Sequence, residues 1–280
     1  MSINIWILLR GGIEPMKVLI INMASATDRM GFMAAQMAHF GFDWERVEAI
    51  TPDSLQPAED DPVWHRWQRP LRVTEMALCA SHMAAWSRVL ELDAPCLILE
   101  DDAVLAAGLP AFLEAVAPLS GVDHLSLETR GRKKFVSFHM HPAAPIRRLW
   151  QDRTGSAAYI AWPKGAREML AHARQTGGPS DAIISSTYGM DSWQADPALS
   201  IQLDQCAAYD VPQALATSSL IDAVKKPDLL ESYSKPAQKA FRRRRILAQI
   251  QMGLRQLLRA SKGQRKHIKP AADWPDITLD

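Results

Sequence analysis

The chain reads as an α/β protein with a mostly parallel sheet, and three observations predict it. Short β-forming apolar runs alternate with longer stretches whose apolar residues recur every three or four positions. The run Cys96–Leu99 is apolar throughout, as a strand covered on both faces must be. The 280 residues suffice for one large domain with a well-developed core, and no internal repeat divides them.

Residues 1–15 contribute least. The apolar run Ile3–Leu9 is short, its basic residue follows it, and no small-residue cleavage site comes after, so it does not read as a signal peptide. Met16 opens a better start, "MKVLIINM", and residues 1–15 are expected to be an extension without function. Val18–Asn22 is the first strand. Ser25 or Thr27 caps a helix with Met33, Met37 and Phe40 at helical spacing, and Gly41 stops it. "FDWERVEAI" (42–50) alternates as a second strand, and residues 51–70, rich in Pro, Asp, Trp and Arg, read as a long loop. "TEMALCASHMAAWSRVLELD" (74–93) is a helix whose Met76, Cys79, Met83, Trp86 and Leu90 share a face. "PCLILE" (95–100) is the buried strand. A helix over 109–118 follows, then strands over 123–128 and 156–162. Pro163 opens another helix, "GGPSD" (177–181) is a loop, and "ALSIQLDQ" (198–205) is a late strand.

Charge divides the chain. Ser232 to Ala272 holds twelve Lys and Arg and no Asp or Glu; subtracting these from the net charge of +1 leaves −11 for the rest. An acidic body, 16–231, thus carries a basic tail, 232–280. Within the tail a helix over 236–259 aligns Ile246, Leu247, Ile250, Leu254, Leu257 and Leu258 in one stripe beside Arg242–Arg245, Arg255 and Arg259. That pattern predicts an interfacial helix on an anionic membrane surface. A nucleic-acid-binding tail and a helix packed on a partner are the alternatives; the tail lacks an aromatic stacking pattern, so no nucleic acid is expected. No stretch approaches the roughly 18 apolar residues of a membrane span. The three cysteines, Cys79, Cys96 and Cys206, lack metal-ligand spacing and read as small buried hydrophobes in a reducing, cytoplasmic compartment.

The chemistry concentrates at Glu100, Asp101 and Asp102, three acids at the end of a buried strand. Ligands of open α/β sheets bind outside the carboxyl ends of the strands. Mutual repulsion there is relieved by a divalent cation such as Mg²⁺ or Mn²⁺, held by one or two carboxylates and completed by phosphate oxygens and water. A solvated turn capping the next helix is the alternative.

Five segments in order sharpen this choice. "INMASATDR" (21–29), "LCASHMAAW" (78–86), "LILEDD" (97–102), "GSAAY" (155–159) and "GPSD" (178–181), followed by "ALSIQLDQ", resemble glycosyltransferase family 25, the lipooligosaccharide galactosyltransferase group. That family carries I-N-L-x-x-x-x-x-R, G-C-x-x-S-H-x-x-x-W, L-I-L-E-D-D, G-x-x-x-Y and P-x-D motifs. The likeness runs over residues 16–222. Two departures stand out: Leu78-Cys79-Ala80 lacks the family glycine, and Met23 replaces a leucine.

The resemblance implies a GT-A-like fold, a single Rossmann-type mixed sheet flanked by helices. It implies a metal-dependent, inverting transfer of a sugar, galactose, from UDP-galactose to a glycan or glycolipid acceptor such as the lipopolysaccharide core. Residue by residue it assigns Asn22, Arg29, His82, Glu100 and Asp101 to the donor, and Asp102 with Glu100 to Mn²⁺ or Mg²⁺. Asp181 or Asp191 is the candidate base, and Tyr159 and Tyr188 are candidates for holding the acceptor. Gln205 matches the end of the late strand. The basic stretch "TRGRKKF" (129–135) reads either as a phosphate contact or as a solvated loop. Such an enzyme would work in the cytoplasm, peripherally on the inner face of the cytoplasmic membrane. The competing readings are a non-catalytic nucleotide- or carbohydrate-binding homologue and a metal-dependent phosphohydrolase, for which an aspartate nucleophile motif is missing.

Overall fold

A computed structural model describes residues 15–152, 155–215 and 229–277. The proposed extension, 1–15, lies outside these apart from its last residue. In chain order the first half runs β1 (Lys17–Asn22), α1 (Thr27–Phe40), β2 (Trp44–Glu48), α2 (Val73–Leu92), β3 (Cys96–Glu100), β4 (Ala103–Leu105), α3 (Leu109–Val116) and β5 (His124–Ser126). The second half runs β6 (Lys133–Met140), β7 (Ile146–Gln151), β8 (Ala158–Ala161), α4 (Pro163–Thr176), α5 (Ser180–Ser186), β9 (Ser192–Ala195), β10 (Ser200–Gln202), α6 (Lys235–Arg259) and β11 (Gly263–His267).

Nine strands form one sheet in the order β11-β6-β7-β9-β5-β8-β3-β1-β2, and β4 pairs β10 in a small second sheet. The large sheet is mixed. β1 runs parallel to both β2 and β3, and β5 parallel to β9, whereas β8 runs antiparallel to β3 and β5. The expectation of a mostly parallel sheet is corrected by β8 and by the antiparallel run β9-β7-β6-β11.

Alternation along the strands builds a core on each face. Val18 and Ile20 of β1 and Leu97 and Leu99 of β3 face α1 and α3, where Phe32, Met33, Met37, Phe112 and Val116 pack. Leu19, Ile21, Cys96 and Ile98 face α2, α4 and α5, where Met76, Trp86, Val89, Met169 and Ile183 pack. Helix α1 ends as expected: Gly41 takes φ +67, in the left-handed region, and its N–H returns to the last turn. Neither Ser25 nor Thr27 occupies its N-cap position, which is Ala26. All three cysteines are buried and free.

The tail joins the body. β11 pairs antiparallel with β6 at the sheet edge, and α6 lies across β7. Arg244 donates to the carbonyls of His65 and Trp67 at 2.8 and 2.9 Å, Arg255 reaches the Trp150 carbonyl, and Phe241 is buried. α6 also carries the apolar stripe, and all six of its side chains are exposed. Among the described residues no helix is long and apolar enough to cross a membrane.

Candidate active site

Parallel pairing brings the carboxyl ends of β1 and β3 together, with Ile21 opposite Glu100. Asn22 is thereby level with Asp101, and its amide donates to Asp101 Oδ2 at 2.8 Å. Arg29, from the first turns of α1, donates to Asp101 Oδ1 at 3.0 Å. Both oxygens of Asp101 are therefore engaged inside the protein, so this acid clamps β1, α1 and β3 to one another.

Glu100 is held from behind. His82 Nε2 lies 3.2 Å from Glu100 Oε1, and the Ser156 hydroxyl donates to the same oxygen at 2.6 Å. His82 Nδ1 lies 2.9 Å from the Tyr159 hydroxyl, which accepts from Trp86 Nε1 at 2.8 Å. An indole N–H can only donate. The phenol proton then points to His82 Nδ1, which leaves the Nε2 proton for Glu100, and every group in the chain is satisfied. Burial opposes charge on Glu100, yet the bonds from His82 and Ser156 hold its carboxyl below the usual carboxylate range.

The S-H-x-x-x-W and G-x-x-x-Y segments thus meet in one buried network. Tyr159, expected to hold the acceptor, has 1% of its surface exposed and cannot do so. His82, expected at the donor, is fully buried and touches Glu100.

Asp102 is the least engaged of the three acids. Among the described residues its carboxylate oxygens meet only the Gln202 amide, at 3.3 Å each. Burial, then the charge of Glu100, pushes its carboxyl up to about 7, with Gln202 opposing. The amide comes from the end of β10, where Gln202 pairs with Ala103 of β4, and Gln205, expected at the end of this strand, lies in the 3-10 helix beyond it. Among the described residues no three His, Cys, Asp or Glu side chains form a ready metal cage. An acid whose charge is disfavoured by its neighbours and whose oxygens have one weak partner fits a cation that draws the rest of its shell from a diphosphate.

Glu128 completes the strand ends and was not singled out from the sequence. It follows β5, is 1% exposed, and accepts from the Ala157 N–H through Oε1 at 3.3 Å, while Oε2 has no partner among the described residues. Burial pushes it up to about 8, against the pull of Lys134. Gly155 accounts for its own motif: its φ is +114, and a Cβ there would stand 1.9 Å from Glu128 Oε1. That requirement is the one sequence signal that points to Glu128.

Asp181 lies in the first turn of α5, next to Ser180, whose hydroxyl is 3.1 Å from that of Ser156. Burial raises its carboxyl, opposed by the Ala182 N–H, and Glu100 raises it further. A narrow crevice is lined by Gly155, Asp181, Tyr188 and Arg255, and the Arg255 guanidinium lies over the Tyr188 ring at 4.1 Å. Asp191 is not brought to this edge. It precedes β9, whose Ser192 is level with Cys96 through His124 and Ala161. Five residues of strand, about 16 Å, separate that level from the acidic triplet, and Asp191 pairs with Arg148 at 2.5 Å.

The "TRGRKKF" stretch is in part the solvated loop expected, with Arg132 and Lys133 exposed, and in part structural. Lys134 is buried in β6 and donates to Ser126, Gln194 and the Glu128 carbonyl, with Asp152 at 2.6 Å. Arg130 pairs with Asp204 at 2.9 Å.

A family model described as glycosyltransferase family 25 (LPS biosynthesis protein) matches residues 16–184. No curated protein matches the chain. The matched span takes in β1, α2, the acidic triplet, the Tyr159 network and Asp181, whereas Gln202 and α6 lie beyond it. With that span covering more than half of its length, the chain belongs to glycosyltransferase family 25 and is a glycosyltransferase.

Proposed function

We propose that the chain moves galactose from UDP-galactose to a cell-envelope glycan such as the lipopolysaccharide core, by metal-dependent, inverting displacement on a GT-A-like fold. The observation that carries this reading is Asp102, weakly partnered beside a charged Glu100 at a strand end, with Asp181 close to the same edge. Asp102 and Glu100 hold Mn²⁺ or Mg²⁺. When bound, the cation supplies Lewis-acid stabilisation of the leaving diphosphate. Asn22 and Arg29 fix Asp101 and keep the β1 and β3 ends in register for the donor. Asp181 takes the proton of the acceptor hydroxyl, and burial, by raising its affinity for protons, makes it a stronger base than an exposed carboxylate. Tyr188 lines the acceptor side.

The test is release of UDP from UDP-galactose with and without Mn²⁺. Asp102→Asn is expected to abolish release and metal-dependent UDP binding. Asp181→Asn is expected to lower kcat by about 10²–10⁴ while leaving UDP binding intact. Absence of transfer and hydrolysis with every nucleotide sugar, together with absence of metal-dependent nucleotide binding, overturns the reading.

The same reading has the enzyme held peripherally on the inner face of the cytoplasmic membrane. Its support is α6, with six exposed apolar side chains and exposed Arg242, Arg243 and Arg245 beside them.

A further inference from the structure

A groove of about 1040 Å³ runs between the segment leading into α2 and the first half of α6. One wall carries Arg69 and Arg72; the other carries Lys235, Lys239, Arg242 and Arg245. Among the described residues the one carboxylate of its lining is Glu75, and Arg69 covers both of its oxygens at 2.8 and 2.9 Å. Among the described residues the four cations of α6 have no ion-pair partner, and the positive end of the helix adds to their field. This concentration of charge stands out on a body that is otherwise acidic.

The groove also leads somewhere. Gly178 packs so closely on the Trp67 ring that a Cβ would stand 2.8 Å from it, which seats residues 67–69 against the loop entering α5. Arg69 is thereby near enough to Asp181 for the two charges to act on each other.

We propose that this groove binds a phosphorylated saccharide, the anionic part of the acceptor, and guides its hydroxyl towards Asp181. This rests on the glycosyl-transfer reading above. Guanidinium and ammonium groups on both walls match phosphate oxygens. Gln68, Gln238 and Gln249 add side-chain amides that can donate to and accept from sugar hydroxyls. Phe241, the aromatic residue of the lining, is buried, so the groove has no exposed ring on which a nucleobase would stack.

The experiment titrates the metal-free, full-length protein by calorimetry with fructose 1,6-bisphosphate and with fructose. It also measures sedimentation with vesicles of phosphatidylcholine containing 30% phosphatidylglycerol. The bisphosphate is expected to bind, fructose is not, and added salt weakens the binding. Lys239→Glu/Arg242→Glu/Arg245→Glu, all at exposed positions, is expected to lower bisphosphate affinity at least tenfold with an unchanged melting temperature. The milder Lys239→Gln/Arg242→Gln pair is expected to give a smaller loss in the same direction. Asp102→Asn is expected to bind the bisphosphate as the wild type does, so failure of the transfer reading would show separately, as absent UDP release with groove binding intact. No bisphosphate binding, or binding indifferent to the charge reversals, overturns the proposal. Loss confined to the vesicles overturns the saccharide assignment in favour of a lipid headgroup.

Discussion

The hydroxyl of Tyr159 links Trp86, which donates to it at 2.8 Å, to His82 Nδ1 at 2.9 Å, and through His82 it sets the position of Glu100. None of these three rings reaches solvent. Tyr159→Phe strands a buried indole N–H and a buried imidazole nitrogen, each costing about 1–3 kcal/mol. Urea unfolding is expected to show a loss of about 2–6 kcal/mol for the two groups together. Glu100 loses its fixed His82 partner, so the KM for the donor rises more than kcat falls. A variant with wild-type stability and wild-type donor KM would reject the positioning role.

Gly155→Ala tests the segment that leads into the same strand. The added methyl collides with the Glu128 carboxyl, and φ +114 is strained for any residue with a Cβ. Glu128 cannot retreat cheaply, because its Oε1 accepts from Ala157 and the side chain is enclosed. The expected result is destabilisation of at least about 2 kcal/mol, and Glu128→Ala in the same chain recovers part of it. Absence of any recovery in the double variant would show that the glycine is there for another reason.

What could be read from sequence, and what could not, follows from where the signals lie. β1, β3, α1 and α2 have apolar residues at strand or helix period, and burial follows period directly. β6 and β11 break that logic. "KKFVSFHM" opens on two lysines, one of them buried only because Ser126, Gln194, Asp152 and a carbonyl surround it. "GQRKH" has no large apolar residue and becomes a strand through pairing with β6, a long-range effect no local pattern carries. At the site, Glu100 and Asp102 were legible because they end an apolar run. Asp191 and Tyr159 were misplaced because sheet register, not sequence order, decides which edge a residue reaches. The late strand ends at Gln202 rather than at Gln205, because the chain there turns into a 3-10 helix over Leu203–Tyr209.

Glu128 predicts a pH dependence of stability. Its proton affinity rises from the ordinary value of 4.5 to about 8 on folding. Between these pH values the unfolded chain has released this proton and the native protein has kept it. Stability from this group is therefore lost as pH rises through the window, by about 1.4 kcal/mol per unit at most. Glu128→Gln removes the penalty and keeps the amide oxygen for the Ala157 N–H. The variant is expected to melt higher than the wild type at pH 8 and close to it at pH 4.5. An equal difference at both pH values would assign the effect to packing instead.

The apolar stripe of α6 predicts membrane partitioning that depends on two separable features. Ile246, Leu247, Ile250, Leu254, Leu257 and Leu258 are 46–77% exposed, so their removal costs the folded state little. Inserted at a lipid surface, each leucine contributes up to about 1.5–3 kcal/mol if fully buried, and the flanking arginines favour anionic headgroups by about 1 kcal/mol each. Leu254→Ser/Leu257→Ser/Leu258→Ser is expected to lower sedimentation with phosphatidylglycerol-containing vesicles at least tenfold. Its melting temperature and its UDP release in solution stay at wild-type values. For the wild type, raising salt to 0.5 M weakens binding by screening the arginines but leaves the apolar contribution. Equal partitioning of wild type and variant would show that the stripe does not meet lipid. Equal binding to neutral and anionic vesicles would remove the electrostatic half of the argument while leaving the apolar half standing.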